Sequence, residues 1–201
     1  MHVRRGFLFA SLFALGAAGV SAQSAWPTRP VSLVVPFAAG GPTDVVARSL
    51  AASMSKTLGQ TVLVENKLGA GGTVAASYVA RAQPDGYTFF IHHNGMATST
   101  ALYRKLAYNP LTDFEFVSQA VDVPMTLLAR KDFPAANFTE LQAYLKANGN
   151  KVSLANAGLG AVSHLCGLLF MSQVGVELNT IPYSGTGPAM NALLGGQVDL
   201  L

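Results

Sequence analysis

Residues 31–65 read VSLVVPFAAGGPTDVVARSLAASMSKTLGQTVLVE, and the fold class follows from this stretch. VSLVVPF (31–37) reads as a strand that leads into the loop AAGGPTD. Over 44–58 the apolar positions repeat at helical spacing, placing Val46, Leu50, Met54 and Leu58 broadly on one side. Thr43 or Asp44 suits the cap of this helix, and Gly59 suits its end. TVLVE (61–65) is the next strand.

Working outward, the same pattern recurs. The loop NKLGAGG leads into a helix from about Thr73 to Ala82. Pro84-Asp85-Gly86 turns into the strand YTFFI, and the loop HHNG opens a short helix through Leu102. Such alternation predicts an α/β fold with a parallel sheet covered on both faces. FVSQAV and MTLLAR, within residues 116–130, read as strands crossing from one lobe to another. A helix over 139–147 is followed by a second series: strand VSLAN, loop AGLGAV, a helix from Ser163 to about Val174, strand LNTIPY, loop SGTG and helix GPAMNALLG. These divide the body into a first lobe, 26–121, and a second, 122–201. Gly195-Gly196-Gln197-Val198-Asp199 reads as a helix end running into a new strand. The expectation is therefore a second lobe that stops before its sheet is complete.

The N-terminus sets the compartment. Arg4 and Arg5 precede the uncharged apolar run FLFASLFALGAAGV (7–20), and small residues follow at Ser21, Ala22 and Ala25. This reads as a secretory signal peptide over 1–22, with cleavage after Ala22 or, less well matched, after Ala25. The run is shorter than the about 20 residues a spanning helix needs, and no later segment qualifies, so no stable membrane insertion is expected after cleavage. Without Arg4 and Arg5 the Lys and Arg count drops from 13 to 11, against 10 Asp and Glu. A near-neutral body argues for no nucleic-acid partner. The single cysteine, Cys166, sits in the apolar segment SHLCGLLF and reads as a packing residue.

Three strand-to-helix loops carry the candidate chemistry. The first offers Phe37, Ala38, Ala39, Gly40, Gly41, Thr43 and Asp44. Its glycines permit tight turning and close backbone approach, and the helix that follows turns its amides and positive dipole end toward a ligand. A carboxylate suits such a site without metal or lysine. A plain turn is the competing reading, and the loop is neither a GxxxxGK[ST] phosphate loop nor GxGxxG. The second loop offers Asn156, Gly158, Gly160, Ala161, Ser163 and His164, with Ser163 equally suited to be a helix cap and His164 to a packing role. The third offers Tyr183, Gly185, Thr186 and Gly187, with Pro188 fitting the first helical turn. Cleft sites of this kind lie at the carboxyl ends of parallel strands. His92 and His93 would face opposite ways if their strand continued, which is poor geometry for joint metal binding. No HExxH, cysteine cluster or GxSxG elbow occurs, so no catalytic residue, metal site or cofactor is expected.

The blocks WPTRPVSLVVPFAAGGPTD, VVARSLAASMSKTLGQTVLVEN, GAGGTVAASYVARAQPDGYT, YNPLTDFEFVSQA, GLGAVSHL and IPYSGTGPAMNALLGGQVDL follow one another from Trp26 to Leu201. In this the chain resembles the extracytoplasmic receptors of tripartite tricarboxylate transporters, the Bug family. The resemblance implies a periplasmic binding protein-like type II fold, with two lobes closing on a noncovalently held ligand. It implies periplasmic location, a small organic carboxylate as ligand, membrane subunits of a tripartite transporter as partners, and a monomer when full length. On this resemblance Phe37 through Gly41 with Thr43 and Asp44 form one wall of the cleft. Residues 156–164 and 183–187 form the other, with the loop after Asn66 and the stretch His92, His93, Asn94, Gly95 nearby. The chain departs from the family pattern at Leu68, where proline is common, and at Ala161, where Ser or Thr is common. Receptors of the family are longer, which adds to the expectation of an incomplete chain and leaves a non-functional receptor fragment as an alternative. A ligand sensor feeding a membrane signalling partner stays open as a second alternative. An enzyme on the same scaffold, using His164, Asp44 and Ser163, is a third.

Overall fold

The computed structural model describes residues 26–201; the signal peptide read over 1–22 lies outside the described residues. The first sheet contains β1 (Val31–Val35), β2 (Val62–Asn66) and β3 (Thr88–Phe90) in the order β2-β1-β3, all parallel. Parallel neighbours need crossover helices. These are α1 (Pro42–Leu58) and α2 (Thr73–Ala80), the latter entered through a 3-10 turn at Ala70–Gly72. Central β1 is buried on both faces, with Val31, Val34 and Val35 fully enclosed. The α1 stripe is close to the expected one. Leu50, Met54 and Leu58 pack on the core, but its centre is Ala47 and Ala51, small side chains that let the helix axis approach β1 and β2. Gly59 ends α1 as expected, in the left-handed region (φ 66°), donating its N–H to the Ser55 carbonyl.

Beyond α3 (Gly95–Leu102), the chain passes through 103–137 without helix or strand to α4 (Phe138–Asn148). Asn137 caps α4, its Oδ1 accepting from the Glu140 N–H at 3.0 Å, while Glu140 accepts from the Ala136 N–H. The second sheet pairs β4 (Ser153–Asn156) with β5 (Asn179–Pro182) in parallel, crossing through α5 (Val162–Val174). After α6 (Thr186–Leu194), residues 199–201 lie between β4 and the stretch 128–130. Leu200 bonds to Ser153 and Ala155 on one side, while Asp199 and Leu201 bond to Arg130 and Leu128 on the other. Asp199 locks this arrangement by accepting from the Ser153 N–H and from Arg130 Nε at 2.9 Å each. Leu145, Leu154 and the fully buried Leu200 centre the core of this lobe. Two α/β lobes with parallel sheets flanked by helices result, the layout expected of a type II periplasmic binding fold. Among the described residues no helix is long and apolar enough to cross a membrane.

The two strands read within 116–130 do not form. Only the end of the second, Leu128–Arg130, finds a partner, at the Ala129–Leu200 bridge. Residues 115–127 have apolar, strand-like composition, but no neighbouring backbone offers them a ladder, and Phe116 and Val117 stand 73% and 79% exposed. Limited chymotrypsin digestion of the native chain is expected to cut first between Phe116 and Leu128. A first cut inside α1 or α4 would contradict this placement.

Candidate ligand cleft between the lobes

The three loops singled out in the sequence meet at one place. β1 delivers Pro36 and Phe37 to the seam between lobes, where buried Phe37 packs against Ala157 and Ala161 of the opposite lobe. The Ala38 N–H donates to the Ser184 carbonyl across the seam at 3.1 Å. Gly185 and Gly187 lie so close that a Cβ on the first would sit 2.9 Å from the Ala38 nitrogen, and on the second 2.8 Å from the Ala39 carbonyl oxygen. Below this contact is a cavity of about 320 Å³ lined by Pro36, Phe37, Gly69–Gly72, Tyr103, Ala157–Leu159 and Pro182–Ser184. A larger depression, about 510 Å³, lies at the far end of α5 among Leu168, Met171, Ser172, Gly175, Val176 and Glu177. It is wide open to solvent and none of the loops reaches it, so the interlobe cavity is the candidate site.

Among the described residues no charged side chain lines that cavity. Its polar groups are backbone amides and carbonyls together with the hydroxyl-bearing residues Tyr103, Tyr183 and Ser184. α1, α5 and α6 all begin at the seam, and the first N–H groups of each lack intrahelical acceptors and carry positive partial charge. The loops differ in how many amides remain free. In the second loop the Ala157 N–H donates to Ser163 Oγ, Gly158 to Asn156 Oδ1, Gly160 to His164 Nδ1 and Ala161 to the Gly158 carbonyl. The polar side chains Asn156, Ser163 and His164 therefore brace the loop itself. Ser163 is not the cap: Ala161 holds that position, and the Ser163 hydroxyl reaches back to Ala157. The N–H groups of Gly185, Thr186 and Gly187 make no such local bonds.

At α1 the cap is Gly41, with Pro42 first in the helix, in place of Thr43 or Asp44. Gly41 has ordinary extended dihedrals (φ −85°), so the turn itself relies on Gly40 (φ 82°). Asp44 is buried and turned away from the cavity. It accepts from the Gly40 N–H at 3.0 Å, from Arg48 Nε at 2.8 Å and from Asn66 Nδ2 at 2.9 Å. Burial pulls its carboxyl upward, but the bonds from Arg48, Asn66 and Gly40 prevail and hold it down at about 2. Asp44 thus anchors the first loop and is neutralised by Arg48. Thr43 and Thr186 are half-buried at the first turns of their helices, and Tyr183 is a half-buried part of the cavity wall. Ala39, Gly40 and Asn94 are exposed, and they, like Ala38, Gly41, Thr43, His92, Gly160, Ala161 and Gly185–Gly187, stand outside the cavity lining.

The two adjacent histidines do not face opposite ways. β3 ends at Phe90, the backbone then turns, and the rings of His92 and His93 come within 4.7 Å in an edge-to-face pair. Phe37 stacks on His93 at 4.8 Å. Among the described residues no group of three or more His, Cys, Asp or Glu is placed to hold a metal. Cys166 is a half-buried free thiol on α5.

Sequence reasoning missed Tyr103, whose hydroxyl donates to the Leu159 carbonyl of the other lobe at 2.9 Å. Its one signal was an aromatic residue directly after the helix ending at Leu102. Ser184 falls within the expected wall 183–187 and Gly71 within the loop after Asn66, and both line the cavity.

The pattern described as "Tripartite tricarboxylate transporter family receptor" matches residues 46–201. A protein from Agrobacterium vitis, encoded in the TAR-I ttuE-ttuC' intergenic region, is 51% identical over 179 residues, covering 89% of this chain and 52% of the relative. BugT of Bordetella pertussis is 39% identical over 184 residues, covering 90% and 56%. Among solved structures, the periplasmic binding protein BugD superposes with a TM-score of 0.85 at 61% identity, covering 87% of this chain and 58% of that one. MatC from Rhodopseudomonas palustris, solved with bound malate, gives 0.82 at 48% identity, covering 87% and 60%. The chain thus spans a little over half the length of these relatives. From the extent of the match and the shared two-lobed fold, the chain belongs to the family of tripartite tricarboxylate transporter receptors, the Bug proteins.

Proposed function

We propose that this chain is the capture portion of an exported periplasmic receptor that holds a small carboxylate between its lobes for a tripartite tricarboxylate-type uptake system. The observation that carries the reading is the convergence of three helix N-termini from two lobes on the seam, beside a cavity that, among the described residues, no charged side chain lines. An anion held there is neutralised by oriented N–H groups. Malate in MatC and adipate in Rpa4515 of R. palustris are the kind of ligand this chemistry suits. On this reading lobe one runs from 26 to about 121 and lobe two from 122 to 201. Phe37–Gly41 and Thr43 form one wall, while Gly158–Ala161 and Tyr183–Gly187 form the other. Asp44, Asn156, Ser163 and His164 hold those walls in shape. The act is capture and release, with no bond made or broken, followed by hand-over to membrane subunits.

A thermal-shift panel of mono-, di- and tricarboxylates tests this. At a hundredfold excess over its Kd a fitting ligand adds about 2.7 kcal/mol to folding stability. For a chain of this size that raises the melting temperature by roughly 5–10 °C. A flat response to every carboxylate, together with a clear shift from a cationic or neutral solute, would contradict the carboxylate reading.

A further inference from the structure

We propose that Tyr103 sets how long a captured ligand stays in the cleft, by fastening the two lobes to each other and not by holding the ligand. The proposal rests on the carboxylate-capture reading above and names the side chain that governs release from that site.

The fastening is a single bond. Tyr103 Oη donates to the Leu159 carbonyl of the opposite lobe at 2.9 Å. Among the described residues it is the one side-chain hydrogen bond between the lobes, apart from Gln119 to Asp122 where the chain passes from one lobe to the other. Tyr103 and Leu159 both line the cavity, so the bond joins its walls. The other polar crossing, from the Ala38 N–H to the Ser184 carbonyl, is made by backbone and joins a different pair of loops. The lobes are thus tied at two separate places around one cavity, and only the tie at Tyr103 depends on a side chain.

Each partner is held where the other meets it. Tyr103 closes α3, its N–H donating to the Ser99 carbonyl at 2.9 Å, and the chain leaves the helix extended (φ −110°, ψ 120°). Ser99 is itself buried and its hydroxyl accepts from Tyr108 Oη at 3.1 Å. In the other lobe, the N–H groups on either side of Leu159 are tied down, Gly158 to Asn156 Oδ1 and Gly160 to His164 Nδ1. The Leu159 side chain is 56% exposed, so what its loop delivers to the seam is the carbonyl. Gly71 makes the room for that carbonyl. A Cβ at 71 would overlap the Leu159 carbonyl oxygen and stand 3.0 Å from Tyr103 Oη.

The bond exists only while the lobes are together. It therefore slows their parting without changing how ligand enters the open cleft, and its effect falls on dissociation. Burial, then the neighbouring Tyr108, raises the Tyr103 phenol above its ordinary value, so the hydroxyl keeps its proton and remains a donor near pH 7. Both ends of the bond are protein atoms, so losing it should speed the release of different carboxylates by the same factor.

Surface plasmon resonance of the full chain with malate, adipate and citrate tests this. Tyr103→Phe should dissociate roughly three- to tenfold faster from each probe that binds, with association within about twofold of wild type and the ligand-free melting temperature unchanged. Gly71→Ala presses on the same carbonyl from the other side, and its dissociation should accelerate at least as much. Gly175→Ala is its control, because Gly175 shares the left-handed backbone (φ 73°) but has open space where the Cβ would go. It should release ligand as wild type does. If Tyr103→Phe fails to fold, the difference between Gly71→Ala and Gly175→Ala decides alone. Dissociation unchanged in Tyr103→Phe, or equal in the two alanine variants, overturns the proposal and leaves carboxylate capture standing. A Tyr103→Phe loss that differs by more than about threefold between probes also overturns it, since the hydroxyl would then be holding ligand. Binding of none of the three probes removes carboxylate capture and the proposal together.

Discussion

Replacing Gly187 with alanine is expected to weaken carboxylate capture roughly ten- to hundredfold while leaving the melting temperature of the ligand-free protein nearly unchanged. The added Cβ would stand 2.8 Å from the Ala39 carbonyl oxygen and 3.4 Å from the Gly40 carbonyl carbon. Both are backbone atoms and cannot swing aside as a side-chain tip can. The clash exists only while the β1–α1 loop and the start of α6 are in contact, so parting the lobes relieves it. Folding is then spared and closure is not. Gly185→Ala should act alike, meeting the Ala38 nitrogen at 2.9 Å. Gly41→Ala is the control, because its Cβ would find ordinary contacts at 3.6 Å and its φ suits any residue. Calorimetric titration beside a thermal melt checks all three. Unchanged affinity in Gly187→Ala would contradict the closed contact.

Asp44→Ala should cost about 2–3 kcal/mol of stability, because it strands the Gly40 N–H and Asn66 Nδ2 and leaves Arg48 unpaired. Its effect on ligand binding should follow from a loosened first loop. Asp44→Asn keeps the shape and part of the bonding, so it should lose less. The pH dependence has a definite sign. The carboxyl sits below its ordinary 3.8, at about 2 in the folded chain, because the bonds from Arg48, Asn66 and Gly40 outweigh burial. The stability it contributes is fully present above about 3.8 and is lost as pH falls through about 2. Urea unfolding of wild type and Asp44→Ala at pH 7 and in acid measures this. A gap between the two that failed to narrow in acid would contradict the anchor role.

The strand–loop–helix units around α1, α5 and α6 were legible in the sequence because their signals are local. Apolar runs, glycine-bearing loops and helical spacing lie within a few residues of one another. What local pattern cannot carry is pairing. Phe116–Val121 has the composition of a strand, and only three-dimensional placement shows that no ladder is there to receive it. The same limit misled the reading of His92 and His93. Their opposite orientation assumed that the strand ran on, whereas β3 stops at Phe90 and the turn brings the rings together. At the site, the location of the three loops was legible but the division of labour was not. Asp44, Asn156, Ser163 and His164 look like ligand groups in the sequence, yet each is occupied by a nearby N–H. Tyr103 had no motif at all, since its partner, the Leu159 carbonyl, lies in the other lobe.

Amide hydrogen exchange tests the central claim most directly, comparing the free protein with one saturated by the carboxylate that gives the largest thermal shift. The account predicts slowed exchange at 38–43 in the first lobe and at 185–188 in the second, together, with α4 unchanged. Protection confined to one lobe, or centred instead on the open depression at Leu168–Glu177, would contradict capture between the lobes.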